Sequence, residues 1–193
     1  MRYHVDPADN LFDYFHGHVE DARSALGVRL RDDTVLYLVT LLSERARTDH
    51  PAPPEHTLAE LHARAASEPI TAQARTYREL GDRALWLLGW FRESLTRRTV
   101  SPSYYAQMGA AAYHHVDMAF KAAFADAFGP VFRELADSFE GAVGIVGRVR
   151  ESHDDAPDAP GRLYAAWLDE PSEALAARLR ARGLVLVGSS HEV

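Results

Sequence analysis

Histidine and carboxylate side chains are the first candidates for chemistry in this chain, which has 10 His and 28 Asp plus Glu residues. Asp13, His16 and Glu20 are spaced by three and four positions, so on a helix they would share one face and could ligate a metal ion. That face is the polar side of a predicted helix, where solvated side chains are the simpler interpretation. We predict no cofactor, and Asp13, His16 and His115 are kept as the metal-ligand candidates.

His115 differs from the other histidines because the helical pattern aligns it with Tyr104, Met108 and Met118. We therefore expect its imidazole to face the interior, where a buried ring needs a hydrogen-bond partner. A structural role, with a carbonyl or a tyrosine hydroxyl as partner, is the first interpretation. The alternative is a pocket for a metal, haem or other ligand, formed by His115, Tyr104, Tyr105, Tyr113 and Met108.

Two Arg-His pairs have the spacing found in HEPN-like ribonucleases, in which four residues separate the Arg from the His. They are Arg45 with His50 and Arg148 with His153. In that chemistry the His acts as acid or base and the Arg holds the phosphate. In a chain rich in both residue types, about one such pair is expected by chance. A ribonuclease is therefore the second alternative.

The sequence lacks the signatures of several common enzyme classes. It has no Gly-rich phosphate loop after a strand, no Gly-x-Ser-x-Gly elbow, no His-Glu-x-x-His motif and no EF-hand loop. It also has no cysteine, which excludes disulfide bonds, thiolate zinc sites and cysteine nucleophiles. The residue types favour a non-catalytic protein over an enzyme.

Composition and charge restrict the possible partners. The chain has 193 residues, of which 47% are hydrophobic, so it can bury a core without a metal or a disulfide. Its net charge of −7 disfavours binding to nucleic acid. Neither a signal sequence nor a run of about 18 apolar residues is present, which argues against a membrane protein. We predict a soluble, cytoplasmic bacterial protein whose partner is another protein or a second copy of itself.

Apolar side chains recur at intervals of three and four along most of the chain, which predicts an all-α fold. We predict a bundle of about six helices over 8–152, a linker over 153–160, and two accessory helices with an apolar tail over 161–187. The predicted bundle helices cover 8–26, 34–47, 57–67, 70–98, 102–128 and 130–152. Thr57 with Glu60 is a capping box, and Ser101 with Pro102 is typical of a helix start.

The stretch 70–98 is the predicted central helix, because at about 1.5 Å per residue it would span roughly 40 Å. Its apolar face comprises Ile70, Tyr77, Leu80, Gly81, Ala84, Leu85, Leu87, Leu88, Phe91 and Leu95. Trp86 and Trp90 lie one turn apart on the opposite, charged face. Two bare indoles would form a large apolar patch, so we expect the C-terminal segment or a partner subunit to cover them.

Small residues mark the places where helices are expected to come close together. Gly81 and Gly89 lie inside the central helix pattern, and both are interpreted as packing positions. The run from Gly109 to Ala112 has almost no side-chain volume. A neighbouring helix backbone is therefore expected to approach these residues closely.

Two segments carry a resemblance to a known group of proteins. They resemble a group of all-helical bacterial proteins without known activity. The first segment is Leu80-Gly81-Asp82 with the following Ala84–Phe91. The second is Tyr104–Gly109 with the following Ala112-Tyr113. Members of that group tend to have Phe where this chain has Trp86 and Trp90. The resemblance implies that the Leu-Gly-Asp segment and the Tyr-Tyr helix start form one structural unit, and it carries over no functional residue.

The leading functional prediction is a non-catalytic protein that binds another protein or itself. The binding surface would be the Trp86 and Trp90 face or the C-terminal segment, and its candidate residues are Trp86, Trp90, Arg83 and Trp167. The first alternative is a helical-bundle enzyme or sensor with a ligand pocket near His115.

Overall fold

Helices make up nearly all of the computed structural model, which describes residues 7–47, 56–95, 101–122, 129–155 and 172–180. The predicted all-α fold is confirmed in these residues. In chain order the helices are α1 Pro7–Leu26, α2 Asp32–Arg47, α3 Leu58–Ser67, α4 Ile70–Trp90, α5 Arg92–Leu95, α6 Pro102–Ala122, α7 Gly129–Asp137, α8 Phe139–Asp155 and α9 Glu173–Arg180. No helix in these ranges is both long enough and apolar enough to cross a bilayer.

Side chains at the helix starts explain several of these boundaries. The capping box of α3 is formed as predicted: the Thr57 backbone N–H donates to Glu60 Oε2 at 2.6 Å, and the Glu60 N–H donates to Thr57 Oγ1 at 3.2 Å. Ser101 Oγ accepts from the Tyr104 N–H at the start of α6. Acidic side chains occupy the first turn of α2, where their negative charge interacts favourably with the positive end of the helix dipole. Gly27 follows α1 with a φ of +63°, which favours glycine.

The central helix α4 packs most extensively against α6, and it also contacts α3. Glycines on both helices allow this close approach. A Cβ on Gly109 would lie 2.9 Å from the Cβ of Ala84, and a Cβ on Gly81 would lie 2.7 Å from the Tyr113 ring. A Cβ on Gly89 would meet Val146 of α8 at 2.4 Å. The prediction that these glycines are packing positions is confirmed.

The predicted continuous helix over 70–98 is wrong, because α4 ends at Trp90. Phe91 leaves helical geometry at φ −121° and ψ 25°, and the short helix α5 follows. With 21 residues, α4 spans roughly 31 Å at about 1.5 Å per residue rather than the roughly 40 Å expected. Phe91 was placed on the apolar face but is 40% exposed, because the break turns it away from the core that Leu88 and Leu95 enter.

The predicted single helix over 130–152 is also wrong, because a turn at Ser138 separates α7 from α8. The apolar side chains that recur at intervals of three and four across the turn are nevertheless buried, and they are Val131, Leu135, Phe139, Val143 and Val146. The Ser138 N–H still donates to the Glu134 carbonyl, and the Ala142 N–H donates to the Ser138 carbonyl. The backbone therefore stays hydrogen-bonded through the turn, so the periodic pattern alone does not reveal the break.

The core of the bundle is formed by the apolar faces of α1 to α8. Phe15, Val19 and Ala22 of α1 are buried, whereas Leu26 at the end of α1 is 47% exposed. Most of the apolar run over residues 35–42 of α2 is also buried. Leu36 and Thr40 are the exposed residues of that run.

The chain divides into two compact units, residues 1–149 and 150–193. The second unit contains the end of α8 and the helix α9, whose start is capped by Ser172 Oγ accepting from the Leu175 N–H at 3.3 Å. The predicted linker over 153–160 overlaps the end of α8, which continues to Asp155. The rest of the linker, the accessory helix around Trp167 and the apolar tail lie outside the described residues. The predicted domain boundaries therefore stay predictions.

Candidate ligand-binding pocket

A pocket of about 810 Å³ lies where α2, α4, α6 and α7 meet. Each of these four helices contributes to its wall. Its described lining consists of Asp33, Leu36, Tyr37, Thr40, Ala74, Arg75, Arg78, Val116, Phe120, Val131 and Phe132. All of these residues belong to the first compact unit.

The pocket has an apolar floor and a polar rim. Val116, Val131 and Phe132 are buried, and the Phe132 ring stacks on the Phe120 ring with centroids 5.7 Å apart. At the rim, Leu36, Thr40 and the two arginines are exposed. This arrangement gives a ligand an apolar cavity to enter and charged groups at the entrance.

Tyr37 lies in the wall of the pocket and connects it to the core. Its ring packs edge-on against Phe132 with centroids 5.2 Å apart. Its hydroxyl donates to Asp82 Oδ1 at 2.5 Å and accepts from Arg78 Nε at 3.0 Å. Burial, followed by the nearby Asp82 carboxylate, raises the pKa of Tyr37 far above its usual value. Tyr37 therefore keeps its proton and acts as a hydrogen-bonding group.

Asp82 is a buried carboxylate directly behind this wall, with 9% of its surface exposed. Besides Tyr37, it accepts a hydrogen bond from the Tyr113 hydroxyl at 2.8 Å. Its Oδ2 lies 3.6 Å from Arg78 Nε. Burial raises the pKa of Asp82, and this outweighs the opposing effect of the two tyrosine hydrogen bonds and the positive charge of Arg78. The carboxylate thus holds two tyrosines and one arginine in fixed positions.

Arg78 is the charged group that links the pocket rim to the buried carboxylate. Its guanidinium carbon lies 5.2 Å from the centroid of the Tyr37 ring, a distance at which cation and ring attract each other. The Nε atom is used by Tyr37, while half of the side chain is still exposed, at 49%. Arg75 lies one turn earlier on α4 and is also exposed. Two guanidinium groups therefore face the same entrance.

His115 does not line this pocket, and the expectation that it faces the interior is wrong. It is exposed on α6, and its ring stacks on Tyr77 with centroids 4.4 Å apart. Burial against its neighbours, and the nearby His62 and His114, lower the pKa of His115. The helical pattern misassigned it because α6 turns its buried face, with Ala112, Tyr113 and Val116, toward α4 and α7.

The other residues predicted around His115 are not brought together. Tyr113 is fully buried and points to Asp82. Tyr104 is exposed at the start of α6, with its ring edge-on to that of Tyr105, and both lie about two turns from Tyr113. Met108 is partly buried and packs on the core. The hydrogen bond from the Tyr113 hydroxyl to Asp82 joins α6 to α4.

The interface candidates form an aromatic cluster at the end of α4. Trp86 and Trp90 stack with centroids 4.5 Å apart, and Phe91 meets Trp86 edge-on at 6.1 Å. Both indoles are partly buried and pack against the core. Arg83, one turn before, is partly buried, and this burial lowers its pKa. Trp167 lies outside the described residues.

Among the described residues, the candidates for a metal site or a ribonuclease site are not brought together. Asp13 is exposed, and the His16 ring stacks on Phe12 at 6.3 Å. Within the described part of the chain, no group of three His, Asp or Glu side chains is placed to hold an ion. Arg45 and Arg148 lie in α2 and α8, whereas His50 and the side chain of His153 are outside the described set.

Sequence reasoning missed the central residues of the pocket, Tyr37, Arg78 and Asp82. A local signal was present for two of them, because Arg78 and Asp82 are four positions apart on one helix face. Asp82 also follows Leu80 and Gly81 at the edge of the apolar face, where a carboxylate needs partners. No local signal indicates that the partners are Tyr37 and Tyr113, since they are far away along the chain.

Comparison of the chain with protein families, curated proteins and solved structures found no match.

Proposed function

We propose that this protein binds a small organic ligand in the pocket between α2, α4, α6 and α7 and does not transform it, as a sensor or carrier would. The observation that supports the proposal is the size of the pocket, about 810 Å³, together with its lining. Ligand sites typically measure about 300–1,000 Å³ and are mostly apolar with a few placed polar groups.

The pocket is a cleft open to solvent, because Leu36, Thr40, Arg75 and Arg78 at its rim are exposed. Its deepest side chains, Val116, Val131 and Phe132, are already buried by the protein. The surface left to a ligand includes the apolar side chains of Leu36 and Ala74. An organic ligand would cover this surface more favourably than water does.

The chemistry of the lining favours binding over catalysis. Among the described lining residues, the titratable side chains are Asp33, Tyr37, Arg75 and Arg78. Tyr37 retains its proton because its pKa is strongly raised, and an arginine does not give up its proton in proteins. Neither the tyrosine nor the arginines can act as a general base near neutral pH. The remaining group, Asp33, is exposed to solvent in the first turn of α2. The tyrosine and the arginines can, however, orient a ligand by charge and hydrogen bonding.

Partly filling the pocket should weaken ligand binding. Ala74 lines the pocket, so the indole of Ala74→Trp would occupy part of its volume. The neutral probe N-phenyl-1-naphthylamine, followed by fluorescence titration, should bind the unchanged protein and lose about tenfold or more in affinity with Ala74→Trp, since a tenfold change is about 1.4 kcal/mol.

The matched control is Ala63→Trp, because Ala63 is an exposed alanine on α3 that does not line the pocket. It should bind the probe as the unchanged protein does. Equal probe affinity in both variants, or no probe binding by the unchanged protein, would contradict the proposed function.

A second candidate function is self-association through the aromatic cluster of Trp86, Trp90 and Phe91. Three adjacent rings, with Phe91 40% exposed, favour an apolar contact. We propose a second copy of the chain as the partner, because the same patch on both copies would bring these rings together around a two-fold axis.

Polar substitution of the cluster should change the oligomeric mass. Trp86→Ser combined with Phe91→Ser should convert a dimer into a monomer in sedimentation velocity, because it removes two rings from the contact. Tyr104→Ser removes an exposed ring elsewhere and should leave the mass unchanged. A monomeric unchanged protein, or a folded double variant that is still a dimer, would eliminate this candidate.

A further inference from the structure

We infer that the ligand of this pocket is an amphipathic organic acid, with its carboxylate at Arg75 and Arg78 and its apolar body on the apolar lining that includes Leu36, Ala74 and Phe120. The inference rests on the proposed ligand-binding function and specifies the class of ligand. It follows from three features of the pocket: the charge at the rim, the donors available there, and the shape of the apolar floor.

The two arginines at the rim favour an anion. They and Asp33 are the charged groups of the described lining. Carboxylates outside the lining, Asp82 and Glu44 near Arg78 and Glu68 near Arg75, offset part of this positive charge. Arg75 and Arg78 are three positions apart on α4, which places their side chains on the same side of the helix. Asp33 belongs to a different helix, at the first turn of α2. One carboxylate can therefore reach both guanidinium groups from one direction.

The available donors match a carboxylate. A guanidinium has five N–H donors in a planar fork, which pairs well with the two oxygens of a carboxylate. Arg78 donates from Nε to Tyr37, and among the described residues its two terminal nitrogens have no hydrogen-bond partner. They are the atoms that form the outer edge of the fork. Arg78 thus has donors left for a ligand while its inner edge is held by the protein.

The position of Arg78 is set before any ligand arrives. The Tyr37 hydroxyl, the face of the Tyr37 ring and the Asp82 carboxylate all contact or attract the guanidinium. A charged group held in place loses little entropy on binding, so its interaction with a ligand is stronger. The buried carboxylate at Asp82 is thereby a positioning residue for the ligand site.

The floor selects an apolar body behind the acidic end. The parallel rings of Phe120 and Phe132, with planes 7° apart, continue into the buried side chains of Val116 and Val131. Apolar surface of this kind favours hydrocarbon over water or polar groups. Val116, Val131 and Phe132 are already covered by the protein, so the apolar surface open to a ligand is that of the neighbouring lining residues Leu36, Ala74 and Phe120. A chain or ring of carbon atoms would cover this surface, whereas an inorganic anion or a sugar acid would not.

Three probes with the same chain length separate the contributions of charge and apolar surface. Isothermal titration calorimetry would use octanoate, 1-octanol and octylamine with the full chain. We expect octanoate to bind about tenfold more tightly than 1-octanol, because of charge-assisted hydrogen bonds, and octylamine to bind most weakly. Octanol or octylamine binding as tightly as octanoate would overturn the inference and leave the proposed function standing.

Arginine variants assign the preference to the rim. Arg75→Gln and Arg78→Gln should each weaken octanoate binding by about fivefold to tenfold and should leave 1-octanol binding unchanged. Arg29→Gln is the matched control, because Arg29 is exposed and does not line the pocket. Arg75 makes no hydrogen bond to any described residue, so its variant tests the inference even if Arg78→Gln fails to fold.

Different results would contradict the inference about the ligand class and the proposed function. If N-phenyl-1-naphthylamine binds but octanoate does not, or if both Arg variants bind octanoate normally, the pocket is a ligand site for another class of molecule. If the neutral probe also fails to bind, the proposed function itself is wrong.

Discussion

Replacing Gly109 with alanine should destabilise the protein by roughly 1–2 kcal/mol net. A Cβ at this position would lie 2.2 Å from Phe139 Cζ and 2.9 Å from the Cβ of Ala84. Neither neighbour moves easily, because Phe139 is buried and packs beside Tyr113, and the Ala84 Cβ is attached to the α4 backbone. Overpacking of this kind costs about 1–3 kcal/mol or more, which exceeds the gain of about 1 kcal/mol in helix propensity.

The control for this prediction is a glycine in the same kind of secondary structure with free space around it. Gly17 lies within α1, and a Cβ there would meet nothing within 4 Å. Gly17→Ala should therefore stabilise the protein by about 0.5–1 kcal/mol. Urea denaturation followed by far-ultraviolet circular dichroism measures both changes. If Gly109→Ala proved as stable as Gly17→Ala, α4 and α6 would not be packed as closely as described.

Replacing Asp82 with alanine should cost about 3 kcal/mol and loosen the pocket wall. The change removes the acceptor of the Tyr37 and Tyr113 hydroxyls, and Tyr113 is fully buried. A buried hydroxyl without a partner costs about 1–3 kcal/mol, and two are affected here. Asp82→Asn retains the size and one acceptor oxygen, so it should cost less than Asp82→Ala. Equal stability of Asp82→Ala and the unchanged protein in urea would contradict the role of Asp82 as the hub of this network.

The direction in which Asp82 changes the free energy of unfolding with pH can also be predicted. Burial raises the folded-state pKa of Asp82 despite the tyrosine hydrogen bonds and the charges of Arg78 and Arg45. The folded protein therefore binds this proton more tightly than the unfolded chain, whose Asp titrates at about 3.9. Between these two pKa values, the free energy of unfolding falls as pH rises. The contribution is fully present below the unfolded pKa and is lost as pH passes the folded pKa.

The Asn variant isolates this effect from the other titrating groups. It cannot lose a proton, so its stability lacks the contribution of Asp82. The stability of the unchanged protein minus that of Asp82→Asn should decrease from pH 4 toward neutral pH in urea denaturation series. A difference that increases over this range would mean that hydrogen bonds and charges, rather than burial, dominate the Asp82 carboxylate.

Local pattern predicted the helices well because their signals lie within a few residues of each other. The Thr57 and Glu60 capping box and the Ser101 cap both mark helix starts correctly. The absence of side-chain bulk at Gly81 and Gly109 indicated where helices come close. The end of α4 at Trp90 was missed because no proline or cap marks it, and the turn at Ser138 was missed because hydrogen bonding continues through it.

Burial of polar residues depended on which helix packs on which face. Asp117 of α6 is charged but only 1% exposed. It is held by Lys121 of its own helix at 2.6 Å and by Arg133 of α7 at 3.3 Å. A sequence pattern shows that one face of α6 is apolar, but it does not show that α7 covers the neighbouring carboxylate. His115 was misplaced for the same reason.

The sequence by itself determined the helical class, most helix starts and the glycines that allow α4 and α6 to approach. Only the tertiary structure decided the pocket, because Tyr37 and Asp82 are 45 positions apart, and Asp82 and Tyr113 are 31 apart. Helical periodicity indicates the direction in which a side chain points from the axis of its own helix. A binding site between four helices depends on their mutual packing, and that packing follows from the fit of all the apolar faces together.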